Sequence, residues 1–212
     1  MVYNNAMQDD ISQIRTFPTR RTESLTDAVF AIAMTLLVLG LSVPVLSSNA
    51  TNQDLWQALA KMRPSFTGFL ISFLILGVMW SVHMRMFEQL DTIDERVSKL
   101  NIFRLLMVVL LPFTTSLTAT YPGLLPAQLL YPLNLFFLAL ATYLQGLYVQ
   151  AHPSFYKVYN KRRASYGKFQ NLSFVIVSVI VLGMVFVIGE LALLIFFVLP
   201  IIDPLSRRLS KH

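Results

Sequence analysis

Apolar runs of about 20 residues recur along this chain, separated by short polar or charged segments, and runs of that length are the size of a lipid bilayer. At ~1.5 Å per residue, twenty helical residues cross a hydrocarbon layer ~30 Å thick. No water reaches backbone N–H and C=O groups there, so each run has to satisfy its own hydrogen bonds as a helix. The runs predict spans over 25–46, 65–87, 100–121, 129–149, 172–187 and 191–205. The expected fold class is therefore all-α: a polytopic membrane protein with six transmembrane helices. Its domain layout is an N-terminal tail over 1–20, a six-helix transmembrane domain over 21–206 and a C-terminal tail over 207–212.

Composition agrees with a bilayer as solvent. Of the 212 residues, 55% are hydrophobic and 13% charged, and the mean hydropathy is +0.61, which leaves too little polar surface to cover a water-soluble globule. A net charge of +6 would raise nucleic acid as a partner for a soluble protein, but here the basic residues sit between apolar blocks and make no single patch. No nucleic-acid partner is expected. With no cysteine and three scattered histidines, His83, His152 and His212, thiol chemistry is excluded and a zinc cluster has no ligand set. No metal site and no cofactor are expected.

The breaks between runs have a clear chemistry. Pro44 and Ser47-Ser48-Asn49 close the first run, and residues 54–63 form a short amphipathic connection before Pro64 opens the second. A charged segment over 88–99 follows. Pro122, Gly123 and Pro126 make an uncharged turn, residues 157–168 make a basic loop, and Gly189-Glu190 divides the last two runs into a hairpin. Counting Lys and Arg on alternate sides puts fifteen on the side of the termini and two, Lys61 and Arg63, on the other. By the positive-inside bias both termini face the cytoplasm, which requires an even number of spans. A cleaved signal peptide is the competing reading of the first run, but its apolar stretch is long for one and Glu23 and Asp27 crowd its start. Asn49-Ala50-Thr51 also fits a glycosylation sequon, a short pattern that occurs often by chance.

An ionisable residue inside a span costs roughly 2.5–3.5 kcal/mol on insertion scales, so each one asks for a partner. Asp27 asks most clearly. Arg21 lies six residues away and on a different face, which disfavours a local pair. Trp80 and His83 share a face near the end of the second run, and Asn101 and Arg104 share one at the start of the third, all at similar depth. The cluster either clamps three helices together or relays protons, and Arg104 has the further option of snorkelling to the headgroups. On the first run, Ile32, Thr35, Leu36 and Leu39 fall at i, i+3, i+4 and i+7 as one stripe. That stripe reads as a pore wall with a hydroxyl for a passing cation, or as ordinary lipid or core packing.

Arg21-Thr22-Glu23-Ser24-Leu25-Thr26-Asp27, followed by Ala28-Val29-Phe30-Ala31-Ile32-Ala33-Met34-Thr35-Leu36-Leu37-Val38-Leu39, resembles the first-helix signature of the transmembrane-protein-175 family of bacterial and lysosomal potassium channels. In that family the pattern is Arg-x-x-x-Phe-Ser-Asp leading into an Ala-Ile-x-x-Thr-Leu-Leu-type helix. Trp80-x-x-His83, Leu100-Asn101 and Leu111-Pro112-Phe113 extend the resemblance over the first three spans. Leu25 stands where the family has Phe and Thr26 where it has Ser, and the threonine keeps the hydroxyl.

The resemblance implies a homotetramer of six-helix subunits in the cell membrane, with a pore lined by the first helix of each. Ile32, Leu36 and Leu39 would form apolar rings, and Thr35 would meet transient K⁺, the permeant ion. Arg21, Thr26, Asp27, Trp80, His83 and Asn101 would form a network holding that helix. The Thr-Val-Gly-Tyr-Gly filter of other potassium channels is absent, which implies a modest preference for K⁺ over Na⁺. A proton-coupled secondary transporter is the alternative and would want broken helices and an inverted repeat. An enzyme is not expected, since no nucleophile–base or metal constellation stands at one depth.

Overall fold

A computed structural model describes residues 15–198. A short strand β1 (Thr16–Pro18) leads into α1 (Arg20–Leu36), whose last turn tightens into a 3₁₀ segment, Leu37–Gly40. A small helix α2 (Asn52–Lys61) precedes the long α3 (Arg63–Phe87). Strand β2 (Thr92–Asp94), α4 (Glu95–Thr120) and α5 (Leu125–Gln150) follow. After a 3₁₀ turn at Pro153–Phe155 come α6 (Lys161–Ile188) and a 3₁₀ segment, Gly189–Val198.

Among the described residues, five helical stretches are long and apolar enough to cross a membrane: Arg20–Gly40, Arg63–Phe87, Glu95–Thr120, Leu125–Gln150 and Lys161–Ile188. The chain is a mostly helical, multi-pass membrane protein. Of the sixth expected span, residues 191–198 lie in the final 3₁₀ segment, which packs along α6 and against α3, and residues 199–205 lie outside the described residues, as does the C-terminal tail.

Several helices outrun the apolar stretches that announced them, because caps carry them into the polar layer. The Asp94 carboxylate accepts from the Val97 N–H at 2.9 Å and starts α4 five residues before the apolar run. Asn160 accepts from the Arg162 and Arg163 N–H groups at 3.1 and 3.2 Å, so the basic segment expected as a loop forms the first turns of α6. The first span behaves in the opposite way and stops at Gly40, short of the expected Leu46. Pro44 disfavours helical geometry at Val43, and Gly40 is itself a weak helix former. The connection α2 carries a full capping box: Thr51 and Asp54 bond reciprocally, and these bonds hold the Asp54 carboxyl below the usual carboxylate range. At the opposite corner Gly123, with φ +91°, makes the α4–α5 turn that a side chain would strain.

The main core lies where α3, α4, α5 and α6 meet, around Leu76, Val108, Leu111, Leu135, Leu138 and Val181. Hydroxyls stitch its outer half. Ser72 on α3 hydrogen-bonds Thr115 on α4 at 2.8 Å and Tyr131 on α5 at 3.0 Å, and Thr118 donates to the Ala127 carbonyl at 2.6 Å. A second, smaller core caps the end where α3 and α5 finish and α4 begins. There β1 pairs antiparallel with β2, and Phe87, Leu90, Ile93, Val97, Val149 and Phe155 pack together beneath them. Replacing Ser72 by alanine strands the buried Tyr131 hydroxyl, while Thr115 keeps its bond to the Leu111 carbonyl, so Ser72→Ala is expected to lower stability by about 1–3 kcal/mol, read as a drop in unfolding temperature of the detergent-solubilised protein.

Candidate functional site: the α1 face and its polar anchor

At ~100° per residue, the buried positions of α1 and its 3₁₀ extension, Thr22, Thr26, Phe30, Ala33 and Leu37, occupy one narrow arc. This arc packs against α4 and α3. On the far side Leu25, Ala28, Ile32, Thr35, Leu36 and Leu39 fill an arc of roughly 100° and are all exposed. Ile32 is 57%, Leu36 41% and Leu39 74% exposed. The Thr35 hydroxyl donates to the Ile32 carbonyl at 2.8 Å. Its single proton is thus committed to the helix, and the oxygen's remaining lone pairs can only accept.

Behind this face the expected polar residues separate into two groups. Thr26 Oγ1 donates to the Thr22 carbonyl at 2.8 Å and accepts from Asn101 Nδ2 at 2.9 Å. Asn101 Oδ1 accepts from Arg104 Nη2 at 2.7 Å, and the same nitrogen lies 2.7 Å from His83 Nδ1. A guanidinium can only donate, so His83 Nδ1 is the accepting nitrogen and the imidazole is the neutral tautomer protonated at Nε2. This chain links α1, α4 and α3 through side chains that are all buried: Thr26 and Asn101 are 0%, His83 and Arg104 1% exposed.

Asp27 and Trp80 form the second group, Trp80 Nε1 donating to the Asp27 carboxylate at 2.9 Å. Asp27 is exposed. Arg21 is exposed as well, and among the described residues it takes no part in either set of hydrogen bonds. Arg104 does not snorkel. Burial of its whole side chain is tolerated because Asn101 and His83 receive one nitrogen and the Phe30 ring lies 6.0 Å from its Cζ, while Nε and Nη1 have no partner within the described chain. No group of three His, Asp or Glu side chains among the described residues could hold a metal ion.

Sequence spacing located these residues but missed the Ser72–Thr115–Tyr131 set, because single hydroxyls are common in apolar helices and carry no periodic signal. The two groups should respond differently to mutation. Asn101→Leu takes one of two partners from Thr26 and leaves the buried Arg104 guanidinium with His83 alone, and is expected to cost about 2–4 kcal/mol. Trp80→Phe releases a carboxylate that solvent can reach and is expected to cost only about 0.5–1.5 kcal/mol. Thermal unfolding of both variants, read side by side, checks the order.

The family described as "Endosomal/lysosomal potassium channel TMEM175" matches residues 21–112, the stretch that holds α1, the whole polar chain and Pro112. A potassium channel of Streptomyces collinus is 37% identical over 101 residues, 48% of this chain and 48% of that one. A potassium channel of Chamaesiphon minutus is 40% identical over 103 residues, 49% of this chain and 50% of that one. The matched stretch thus spans about half the length of these curated relatives. The crystal structure of a lysosomal potassium-selective channel TMEM175 homolog from Chamaesiphon minutus superposes with a TM-score of 0.76 at 27% identity, covering 92% of this chain and 98% of that one. In sequence over residues 21–112, and in fold over nearly the whole of its length, the chain is similar to TMEM175 channels.

Proposed function

We propose that this chain is one subunit of a potassium-permeable channel whose conduit is lined by α1. The observation that carries the reading is the unpartnered face of α1, in the stretch that matches the family. Exposed faces elsewhere in the bundle are bulky, as at Phe66, Leu70, Phe73 and Leu74 on α3 or Ile176, Val179 and Ile180 on α6, as suits contact with lipid. The α1 face instead mixes Ala28 and Thr35 with Ile32, Leu36 and Leu39, small enough at intervals for copies of the helix to approach one axis.

In the proposed assembly four six-span subunits surround that axis, with both termini in the cytoplasm and the channel in the cell membrane. The excess of Lys and Arg in alternate segments between the apolar runs supports this orientation. Rings of Ile32, Leu36 and Leu39 would form an apolar constriction that an ion crosses only by shedding water, and K⁺ sheds water at lower cost than Na⁺. A ring of Thr35 oxygens, each with its proton turned to its own helix, would return part of that cost. Thr26, Asp27, Trp80, His83 and Asn101 would position the helix without touching the ion, and Arg21 would sit at the conduit's cytoplasmic mouth. The relatives' names as potassium channels favour passive conduction over the coupled transport that the same polar chain would serve in a transporter.

Flux into liposomes under a potassium gradient with a protonophore tests the proposal. Passive, downhill potassium flux is expected, whereas saturable flux that requires a counter-ion would overturn it. Thr35→Ala is expected to lower the potassium-to-sodium permeability ratio while the oligomer elutes unchanged. An unaltered ratio would place Thr35 away from the ion path.

A further inference from the structure

At the end of the bundle that carries the β1–β2 pair, a cavity of about 600 Å³ opens between α3, α5 and α6, apart from the α1 face and its polar anchor. Its size lies within the range of small-ligand sites. Two arginines on different helices contribute to the wall, Arg85 from α3 and Arg163 from α6, against one carboxylate, Glu88. Arg85 Nη2 donates to Gln170 Oε1 at 3.3 Å, which ties its guanidinium to the α6 side of the cavity. A wall with this charge balance and two planar donor groups selects an anion with several acceptor oxygens, and phosphate fits that geometry.

A second feature narrows the ligand. Asn171, on the same wall, is 5% exposed, and its Oδ1 has no hydrogen-bond partner. A buried amide oxygen calls for a donor, which a fully ionised phosphate lacks. The backbone has made room for this side chain: a Cβ on Gly146 of α5 would come within 2.8 Å of Asn171 Nδ2. Tyr156 also lines the cavity, and burial pushes its phenol above the ordinary range, so its hydroxyl stays a neutral donor. Glu88 offers a further acceptor. The wall therefore presents donors for phosphate oxygens and acceptors for hydroxyls.

We propose that this cavity binds a phosphate ester that carries free hydroxyls, as in a phosphoglycerol group. The group could come from the headgroup of an anionic lipid in the adjacent leaflet or from a soluble glycerol phosphate. Basic residues flanking the opening, Lys157, Lys161 and Arg162, attract either source.

The test reads binding and not conduction, so its outcome is separate from that of the channel proposal. Thermal unfolding of the purified full-length protein in neutral detergent is followed while short-chain phosphatidylglycerol, phosphatidylcholine, phosphatidic acid, sn-glycerol 3-phosphate or inorganic phosphate is added. Phosphatidylglycerol is expected to raise the unfolding temperature saturably where phosphatidylcholine and phosphatidic acid do not. A matching effect of sn-glycerol 3-phosphate assigns a soluble source as sufficient, and its absence assigns the lipid. Arg163→Gln, an exposed position that leaves the core intact, is expected to raise the half-saturating concentration about tenfold, as the loss of one charge-assisted hydrogen bond would. Gly146→Ala is expected to do the same without altering charge, by displacing the Asn171 amide. Equal stabilisation by phosphatidic acid or inorganic phosphate overturns the proposal, as does unchanged binding in both variants or no stabilisation by any of the compounds.

Discussion

The position of α1 depends on the hydrogen-bond chain from Thr26 through Asn101 and Arg104 to His83. Apolar packing alone cannot fix a helix against its neighbours in a bilayer, because lipid tails solvate leucine as well as another helix does. Polar groups supply the missing direction: away from water, each lost partner costs about 1–3 kcal/mol, and more for a charged group. Thr26 on α1, Asn101 and Arg104 on α4 and His83 on α3 are joined in one hydrogen-bond chain at one rotation of α1. That rotation buries Phe30 and Ala33 and turns Ile32, Thr35 and Leu36 outward. Turning the helix by one residue, ~100°, would break the Thr26–Asn101 bond and bring Asp27 toward the core.

The rest of the bundle is arranged to keep this anchor rigid. Toward the α4–α5 turn the Ser72, Thr115 and Tyr131 hydroxyls tie α3, α4 and α5 together. At the other end β1 is paired to β2, which fixes the chain just before α1 begins. Asp94 then performs two tasks there, capping α4 through the Val97 N–H and accepting from the Tyr148 hydroxyl of α5 at 2.6 Å. α1 is held at its start by a strand and at Thr26 and Asp27 by side-chain hydrogen bonds, while its outward arc is exposed among the described residues.

That division of labour suits a family of channels. A conduit that several copies share needs a lining helix with one face fixed to its own subunit and the opposite face uncommitted. Here the uncommitted face is mostly apolar and carries a single hydroxyl whose proton is already used, which makes it an acceptor in a dehydrating environment. In the proposed conduit such a wall would discriminate by the cost of removing water, and the chain has no Thr-Val-Gly-Tyr-Gly filter.

The amino-acid sequence by itself determined the membrane as solvent, the mostly helical class and the placement of five spans, because hydrophobic length is a local quantity. It also marked the stripe through Ile32, Thr35, Leu36 and Leu39 and the shared depth of Asp27, Trp80, His83 and Asn101, since helical periodicity and rise are fixed by backbone geometry. It placed helix ends poorly: caps such as Asp94 and Asn160 extend helices beyond any apolar run, and Pro44 shortens one within it. Only the tertiary structure decided which polar residue meets which. Arg104 could have reached the headgroups and instead lies buried between Asn101 and His83, while Asp27 pairs with Trp80 outside that chain. The reason is that partner choice depends on the rotation and spacing of separate helices, set by many packing contacts at once, and no stretch of sequence encodes it alone.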